Sequence, residues 1–296
     1  ISMLSFQLSD EQKALVETAK RFARERIAPI ASECDRESRF PKDVFEAAHE
    51  LGLVNATVPP EYGGAGFPEL DNALMAEQLA WACTGIQTSL LANTLAATPI
   101  ILAGNEDLKK KYLGMLTSSP VFCSYCTTEP TGGSDVAGMR TTFKAVGDEY
   151  VLNGEKCWIT NASFASFYVV FATSDPNKRH RGIAAFIVDR DSAGLKVGKH
   201  EDKMGQRASD TAAVHFEEVR VPKANLLAPE GEGFKLAMET FNQTRPDIGA
   251  MATGLQQRCL DESLAYAKER QSFGQAIIEH QMIQAMIADM AIGVEA

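Results

Sequence analysis

Apolar residues recur at helical spacing in the first part of the chain. Ser9 and Gln12 have the spacing of a capping box, and apolar residues follow every three or four positions as far as Ile27. This pattern predicts a helix that ends at Pro29. Further helices are predicted over residues 41–52, 69–83 and 86–97. We therefore expect the first part of the chain to be helical.

The pattern changes near Val121, where short segments rich in Val, Ile, Phe and Tyr alternate with turn residues. About six such segments follow one another as far as residue 221. Asn153-Gly154, between two of them, is typical of a tight hairpin turn. Strands at this spacing predict an all-β unit, either a barrel or a sandwich.

Helical spacing returns at Gly233. Apolar positions predict one helix up to Arg245, another after Pro246 and a third from about His280. The third is apolar around most of its circumference, so we expect it to pack on further helices or on another subunit. The predicted fold class is multi-domain α and β, with an N-terminal all-α domain (1–120), a middle all-β barrel or sandwich domain (121–232) and the start of an incomplete C-terminal α-helical bundle (233–296).

Composition argues against several classes of function. The 296 residues carry a net charge of −10, and because phosphate binding needs clustered cations, nucleic acid is not an expected partner. The longest uncharged run, residues 88–105, contains Asn93 and Pro99, which favours a buried helix over a membrane span. The first twelve residues have neither a basic region nor a long apolar stretch, so no signal peptide is predicted; a mature chain that has lost its targeting segment would look the same.

The cysteines and histidines indicate neither a redox pair nor a metal site. Six cysteines are scattered, mostly in apolar surroundings, which is typical of reduced thiols. Cys123 and Cys126 have C-x-x-C spacing, but no helix start follows them. Residues three apart on a strand point to opposite faces, so core packing is the favoured interpretation. The five histidines lie far apart in sequence, and no metal site is predicted.

The candidate chemistry centres on YCTTEPTGGSDVAG, residues 125–138. No Gly-Lys-Ser/Thr closes this stretch, so it is not a P-loop, and Gly231-Glu-Gly233 lacks the third glycine of a dinucleotide-binding turn. The hydroxyl groups of residues 125–138 lie beside the pair Gly132-Gly133, which lets the backbone approach a ligand closely. Trp158 and Thr160 add an aromatic ring and a hydroxyl that could flank a planar ligand. From these residues alone, an ordinary turn and core remain favoured over a ligand site.

Five motifs in a fixed order resemble the acyl-CoA dehydrogenase family. They are YCTTEPTGGSDVAG, NGEKCWITN, KMGQRASDT, FNQTRP and ERQSFGQAIIEHQ. The resemblance covers the whole chain, and PIILAGNEDLKKKYLG in the N-terminal half is most similar to the medium-chain branch. It implies an N-terminal helical domain, a middle β domain and a C-terminal helical bundle that hold FAD and an acyl-CoA thioester between them.

The resemblance also assigns site residues by position. Those implied to bind FAD are Tyr125, Thr127, Thr128, Gly133, Ser134, Trp158 and Thr160. A second set would reach the FAD of a neighbouring subunit, which implies a homo-oligomer such as a tetramer: Arg270, Ser272, Phe273, His280 and Gln281. Those implied to bind the CoA arm of the substrate are Ser134, Asn242, Thr244 and Arg245. Two alternatives stay open, that Phe273 is a core residue and that Arg245 caps a helix break at Pro246.

The implied reaction is an α,β-dehydrogenation that gives a trans-2-enoyl-CoA in fatty acid β-oxidation. A carboxylate takes the α-proton, the β-hydrogen leaves as hydride to the flavin, and an electron-transferring flavoprotein receives the electrons. No residue of this chain is assigned as catalytic. Most of the family carries the base as a Glu beyond the position of Ala296, and some branches carry it at the position of Thr244. Glu239 and Asp247 lie nearby, but neither holds a matching position.

The sequence lacks a carboxylate at the positions where the family carries its base and differs from the medium-chain branch elsewhere, which leads to several expectations. We expect the 296 residues to be a fragment, a truncated isoform or the ordered part of a longer enzyme; a natural chain of this length would show no turnover and weakened FAD retention. Leu91-Ala92 replaces a Glu-Gly pair of the medium-chain branch and is expected to shorten or reshape the acyl pocket. Asn242 replaces an Asp common in that branch.

Two other functions remain open. One is a catalytically inactive flavin- or acyl-CoA-binding subunit or truncated isoform, and the other is an acyl-CoA oxidase of the same fold. The expected location is the mitochondrial matrix in a eukaryote and the cytoplasm in a bacterium.

Overall fold

The first helices follow the predicted pattern except at Pro29. The structure, a computed structural model, describes residues 6–296. The prediction that no signal peptide is present concerns the first twelve residues, of which residues 1–5 lie outside the described part. Helix α1, Asp10–Phe22, has the predicted capping box with Ser9. A π-helical turn then leads into α2, Ala28–Arg36. The predicted stop at Pro29 is wrong, because the chain stays helical from α1 through the π-helical turn into α2, whose second residue is Pro29.

The remaining helices of this part include one long buried helix, α5 (Thr84–Ala103). Their bounds are α3 Lys42–Glu50, α4 Glu69–Ala82, α5 Thr84–Ala103, α6 Glu106–Leu108 and α7 Gly114–Ser118, with a π-helical turn between α6 and α7. Helix α5 continues through Pro99, beyond its predicted end, because core packing on every side outweighs one lost backbone hydrogen bond. Among residues 6–296, α5 alone is long and apolar enough to cross a bilayer, and 67% of its most apolar window is buried inside the protein.

The middle of the chain forms a β-sheet unit. The strands are β1 Phe122–Cys126, β2 Thr142–Val146, β3 Glu149–Thr160, β4 Ala165–Thr173, β5 Ile183–Asp189, β6 Leu195–His200, β7 Thr211–Pro222 and β8 Leu226–Ala228. The sheet order is β6-β7-β3-β2-β4-β5-β8, and β1 pairs in parallel with β4. The neighbours β2 and β3 are antiparallel.

The predicted hairpin turn at Asn153-Gly154 is wrong. Both residues lie inside β3, and the turn between β2 and β3 is at Gly147-Asp148. Gly154 has φ +148° and sits at a register shift against β7, where an added Cβ would lie 2.6 Å from Thr141 Oγ1. The glycine therefore serves a bulge and a close approach between strands, which its dipeptide pattern does not distinguish from a turn.

Side chains alternate between two cores along β4. Phe167 and Val169 point to one side of the sheet, and Tyr168 between them points to the other. The first two belong to a core shared with α5 and α8, whereas Tyr168 packs with residues of β3 and β7 in a core inside the β unit. Cys123 and Cys126 divide between the same two cores as free thiols, in agreement with the interpretation as core residues.

The last part of the chain is helical. Helix α8, Gly233–Glu269, is continuous through Pro246, so neither the predicted helix boundary nor the capping alternative for Arg245 holds. A small hairpin of β9, Gln271–Ser272, and β10, Gln275–Ala276, leads to α9, Gln281–Glu295. Helix α8 crosses α4 so closely that a Cβ on Gly254 would lie 2.1 Å from the Glu77 carbonyl oxygen. The order of helices, β unit and helices confirms the predicted fold class.

Candidate functional site

A cavity of about 350 Å³ lies where α5 and α8 face β1 and β3. The β wall holds Tyr125, Thr127, Thr128, Trp158, Ile159 and Thr160. The helical wall holds Gln87, Thr88, Leu91, Ala92, Thr94 and Leu95 of α5, with Phe241, Thr244, Arg245, Asp247 and Ile248 of α8. The helical side thus combines five apolar side chains with six polar ones, and the β side is rich in hydroxyl groups.

Two hydroxyl groups of the β wall are buried without a hydrogen bond of normal geometry. They are Tyr125 Oη and Thr127 Oγ1. The Tyr125 ring packs against Phe171 and Phe241, with centroids 5.1 and 5.6 Å away. Burial raises the pKa of Tyr125, an effect that Thr127 partly offsets, so the phenol stays a proton donor. Because unsatisfied buried hydroxyls are costly, this wall is prepared for a polar ligand.

Trp158 is exposed and has an unusual backbone conformation. Its φ is +58° and its exposed fraction is 59%, at a register shift between β3 and β7. A bulky residue with positive φ is a strained outlier, and such strain concentrates at ligand sites. Trp158 lines the cavity together with Thr160.

A buried ion pair supports the β wall from behind. Lys156 Nζ lies 2.8 Å from Glu129 Oε1 and donates to the Thr127 carbonyl at 3.1 Å. Glu129 also accepts from the N–H groups of Arg140 and Thr141. Burial alone would raise the pKa of Glu129, but Lys156 and these N–H donors hold it below its ordinary value; burial lowers the pKa of Lys156. Sequence reasoning missed this pair, since an isolated Lys in a strand is ordinarily exposed.

The α8 wall contains a buried acid. Asp247 is 8% exposed, and its Oδ2 accepts from Asn72 Nδ2 of α4 at 2.7 Å. Burial raises the pKa of Asp247 to about 6, with a smaller contribution from the charge of Glu69. Asp247 is the one acidic side chain in the cavity wall formed by the described residues.

The structure brings together seven of the predicted site residues in this wall: Tyr125, Thr127, Thr128, Trp158, Thr160, Thr244 and Arg245. Gly133, Ser134 and Asn242 are exposed outside the lining, where Asn242 accepts a 2.9 Å hydrogen bond from Arg245. The set predicted to reach a second subunit lies on the β9–β10 hairpin and the start of α9. Phe273, 97% exposed, is not a core residue, so that alternative is wrong.

The helical, β-sheet and second helical units that meet at this cavity correspond in order to the three domains of a class of FAD-dependent oxidoreductases. The chain belongs to the acyl-CoA dehydrogenase family, whose members use FAD. Models of that family's N-terminal, middle and C-terminal domains match residues 9–119, 124–219 and 231–296. The resemblance found in the five motifs is thereby confirmed. Within residues 6–296, no cluster of three or more His, Cys, Asp or Glu is placed to hold a metal ion.

Individual relatives agree over nearly the whole chain. A probable medium-chain specific acyl-CoA dehydrogenase 2, mitochondrial, of Caenorhabditis briggsae is 46% identical over 99% of this chain and 72% of its own length. Butyryl-CoA dehydrogenase of Megasphaera elsdenii is 35% identical, with a TM-score of 0.95 over 99% of this chain and 78% of its own. A chain from a structural study of the electron transferring flavoprotein of Acidaminococcus fermentans is 39% identical, with a TM-score of 0.95 over 99% and 77%.

The residues of the cavity fit a flavin. An isoalloxazine ring has two flat apolar faces and a hydrogen-bonding edge. The β wall offers an indole surface at Trp158 and buried hydroxyls at Tyr125 and Thr127 that have unused hydrogen-bonding capacity. The apolar side chains of the helical wall leave room for an acyl chain beside such a ring.

Proposed function

We propose that the protein catalyses the α,β-dehydrogenation of a fatty acyl-CoA thioester, of medium chain length, to a trans-2-enoyl-CoA in β-oxidation. The observation that supports this most directly is one cavity whose β wall offers hydroxyl groups and an indole and whose helical wall includes the apolar side chains of Leu91, Leu95 and Phe241. The names of the C. briggsae and M. elsdenii relatives support an acyl-CoA substrate. The A. fermentans likeness supports an electron-transferring flavoprotein as the electron acceptor.

The β wall is assigned to the cofactor. When bound, FAD would supply the oxidant that accepts the β-hydrogen of the substrate as hydride while the α-proton goes to a base, which leaves a Cα–Cβ double bond. Tyr125, Thr127 and Thr128 would hydrogen-bond the ring edge, and Trp158 and Thr160 would cover it. The exposed Gly133 and Ser134 would meet phosphate groups of FAD and of the CoA arm. Lys156 of the buried ion pair donates to the Thr127 carbonyl and so helps to hold the segment that carries Thr127 and Thr128 in place.

The helical wall is assigned to the substrate. Leu91, Leu95 and Phe241 exclude water from the reacting carbons and orient the acyl chain. Thr244 and Arg245, with Asn242 beside them, would contact the CoA arm at the cavity rim. No residue of the wall is proposed as the base that removes the α-proton; Asp247 is instead hydrogen-bonded to Asn72.

A second subunit would complete the cofactor site. Between the end of α8 and the start of α9, three of the residues assigned to this contact are exposed and two are half-buried: Arg270, Phe273 and Gln281 are exposed, and Ser272 and His280 are half-buried. We propose that these residues reach the FAD of a neighbouring copy in a homotetramer. Size-exclusion chromatography with light scattering, compared between the protein and Phe273→Asp, tests this arrangement.

The location proposed for the protein is the mitochondrial matrix of a eukaryotic source or the cytoplasm of a bacterial one. The C. briggsae relative is named mitochondrial.

An anaerobic titration tests the function. In a chain that includes the family's catalytic Glu, octanoyl-CoA added to the FAD-loaded protein should bleach the flavin absorbance and give a product two hydrogens lighter in mass spectrometry. Electron-transferring flavoprotein should then restore the oxidised spectrum. Rapid oxygen consumption without that partner would indicate an oxidase, whereas binding of both ligands without bleaching would indicate an inactive binding subunit.

Paired variants connect the result to the cavity. Thr127→Val removes a buried hydroxyl of the wall and should weaken FAD binding. Thr253→Val makes the same change at a half-buried position of α8 outside the lining and should leave FAD binding unchanged. Equal FAD affinity in both variants would contradict the assignment of the β wall.

A further inference from the structure

A small oxygen-lined cavity adjoins the main one. It has a volume of about 70 Å³ and is bounded by residues of α4, α5 and α8 and of the segment before α4. Its polar lining residues are Thr57, Glu69, Asn72, Thr94, Thr98, Gln243, Thr244 and Asp247, and its apolar ones are Phe67 and Ile101. Thr94, Thr244 and Asp247 also line the main cavity, so the two cavities share a wall.

Four side-chain oxygens of this lining are buried and have no hydrogen-bond partner. They are Thr57 Oγ1, Asn72 Oδ1, Thr94 Oγ1 and Asp247 Oδ1. Asn72, Thr94 and Asp247 are 1%, 5% and 8% exposed. Asn72 Nδ2 donates to Asp247 Oδ2 at 2.7 Å, and this bond leaves the second oxygen at both residues unused. Because buried polar atoms ordinarily have partners, four without one around a single cavity indicate that the cavity binds a polar ligand.

The carboxylate of Asp247 has no counter-charge in the lining. Among residues 6–296, no Lys, Arg or His borders the oxygen-lined cavity. Arg245 lies two positions earlier on α8, but its Nη1 donates to Asn242 at 2.9 Å. Glu69, which is also negative, adds to the cost of ionising Asp247. Since buried charges in proteins are ordinarily paired or coordinate a metal ion, the ligand that this lining suits is a cation.

The donor atoms favour a monovalent cation. All four unpartnered atoms are hydroxyl, amide or carboxylate oxygens, which suit hard cations better than soft transition metals. A single buried carboxylate balances one positive charge, whereas calcium sites ordinarily collect several carboxylates, and Glu69 is exposed. Water alone could bridge the four oxygens, but it would leave the charge of Asp247 uncompensated.

We propose that the oxygen-lined cavity binds a monovalent cation, either sodium or potassium. Its protein ligands are the four unpartnered oxygens, those of Thr57, Asn72, Thr94 and Asp247. These residues come from three helices and the segment before α4, so the cation joins α4, α5 and α8 beside the main cavity. The site stands independently of the dehydrogenation, because its ligands and its measurement involve neither an acyl-CoA nor turnover.

Thermal unfolding of the FAD-loaded protein at constant ionic strength tests the proposal. The chloride salts of sodium, potassium and choline are compared, since choline is too large for a cavity of about 70 Å³. We expect sodium or potassium to raise Tm by about 5 °C over choline once the cation reaches about 100 times its Kd. Equal Tm in the three salts would overturn the proposal.

Variants connect the rise in Tm to the oxygen-lined cavity. Asp247→Asn removes the charge, keeps the shape and should abolish the rise. Thr57→Val removes one ligand oxygen outside the lining of the main cavity and should reduce the rise. Asp261→Asn is the matched control, since it removes a carboxylate of the same helix that bonds to Trp81 outside both cavities, and it should keep the whole rise. A rise of the same size in Asp247→Asn would be a general salt effect and would refute the site.

A crystal structure obtained in the stabilising salt locates the ion, with rubidium, which scatters anomalously, in place of potassium. We expect an ion in contact with Asp247 Oδ1 and Asn72 Oδ1. Sodium would be recognised by oxygen distances shorter than those of a water molecule, and rubidium by its anomalous signal. Water alone in the cavity would contradict the proposal. This measurement uses the unaltered protein, so it decides the question even where a variant does not fold.

Discussion

Replacement of Lys156 by Met should destabilise the β unit more than any exposed lysine substitution. Lys156 is 0% exposed, and its ammonium group has two partners, Glu129 Oε1 at 2.8 Å and the Thr127 carbonyl at 3.1 Å. Met fills similar volume without charge. The change leaves Glu129, 5% exposed, as a buried carboxylate without its cation.

The expected cost follows from what Glu129 retains. Removal of one partner from a buried ion pair costs about 3–5 kcal/mol. Glu129 keeps the N–H donors of Arg140 and Thr141, at 2.6 and 2.9 Å, so we expect the lower end, about 3 kcal/mol. In the double variant Lys156→Met with Glu129→Gln no charge stays buried, and much of the loss should be recovered.

Urea unfolding followed by circular dichroism measures these differences. The matched control is Lys196→Met, which removes an ion pair of the same 2.8 Å length to Glu217 on the protein surface. Both partners there are about two-thirds exposed, at 65% and 67% of the side chain, so little change in stability is expected. The same preparations report FAD retention, which should fall in Lys156→Met because the Thr127 carbonyl loses its donor.

Acid should reduce the difference between Lys156→Met and the unaltered protein. In the unaltered protein the pKa of Glu129 is lowered, so the pair's contribution is present above about pH 4.5 and is lost as the pH falls through the folded-state pKa. In Lys156→Met the unpaired Glu129 should have a raised pKa and become neutral in mild acid. A cost below about 1 kcal/mol at neutral pH, or a double variant no more stable than the single one, would refute this reasoning.

Three further outcomes follow from buried groups elsewhere. The pKa of Asp247 is raised from 3.8 to about 6, so the native state binds more protons than the unfolded chain and loses stability as the pH rises through this range. Asp247→Asn should therefore stabilise the protein by up to about 3 kcal/mol near neutral pH and by little near pH 4. Urea unfolding at both pH values measures the difference. Gly254→Ala should lower the free energy of unfolding by about 1–3 kcal/mol, because the new Cβ would meet the α4 backbone. Gly249→Ala on the same helix, with open space around it, should raise the free energy of unfolding by about 0.5–1 kcal/mol. Thermal unfolding compares the two variants. Tyr112→Phe should cost about 1–3 kcal/mol in urea unfolding, because the Tyr112 hydroxyl donates to Asp189 at 2.9 Å and that bond has no replacement in phenylalanine.

The sequence predicted the fold where its signal was local or repeated. Helical periodicity located α1 and α4, and β-rich segments located the strands, because these patterns reflect which face of each element is buried. Its errors fall at Pro29, Pro99, Gly154 and Pro246, where one residue type is compatible with two structures. Proline is compatible with the first turn of a helix and, at a cost, with its interior, and glycine serves bulges as well as turns. Only tertiary packing decides between them.

The residues of the candidate site also fall into a group that the sequence predicted and a group that it did not. Family motifs supplied the residues of the β wall, since those motifs are contiguous stretches such as residues 125–134 and 153–161. The sequence gives no sign that Lys156 is buried against Glu129, or that Asn72 meets Asp247 across 175 positions of chain. Pairings of this kind depend on how α4 and α8 cross and on how β3 packs over the segment after β1, which are properties of the folded chain.

The continuity of α8 through Pro246 is what assembles the helical wall. Phe241, Thr244, Arg245 and Ile248 are spaced by three or four residues, so a single helix presents them on one side, and all four line the cavity. Pro246 lies between them and cannot donate to the Asn242 carbonyl, which leaves a local weakness in the backbone ladder. A helix that ended there would release Ile248 and Asp247 from the wall and part α8 from α4. The contacts of Asn72 with Asp247 and of Trp81 with Asp261 lie C-terminal to that weak point. We infer that they hold the second half of α8 in line with the first, so that the acyl site depends on helix contacts made outside it.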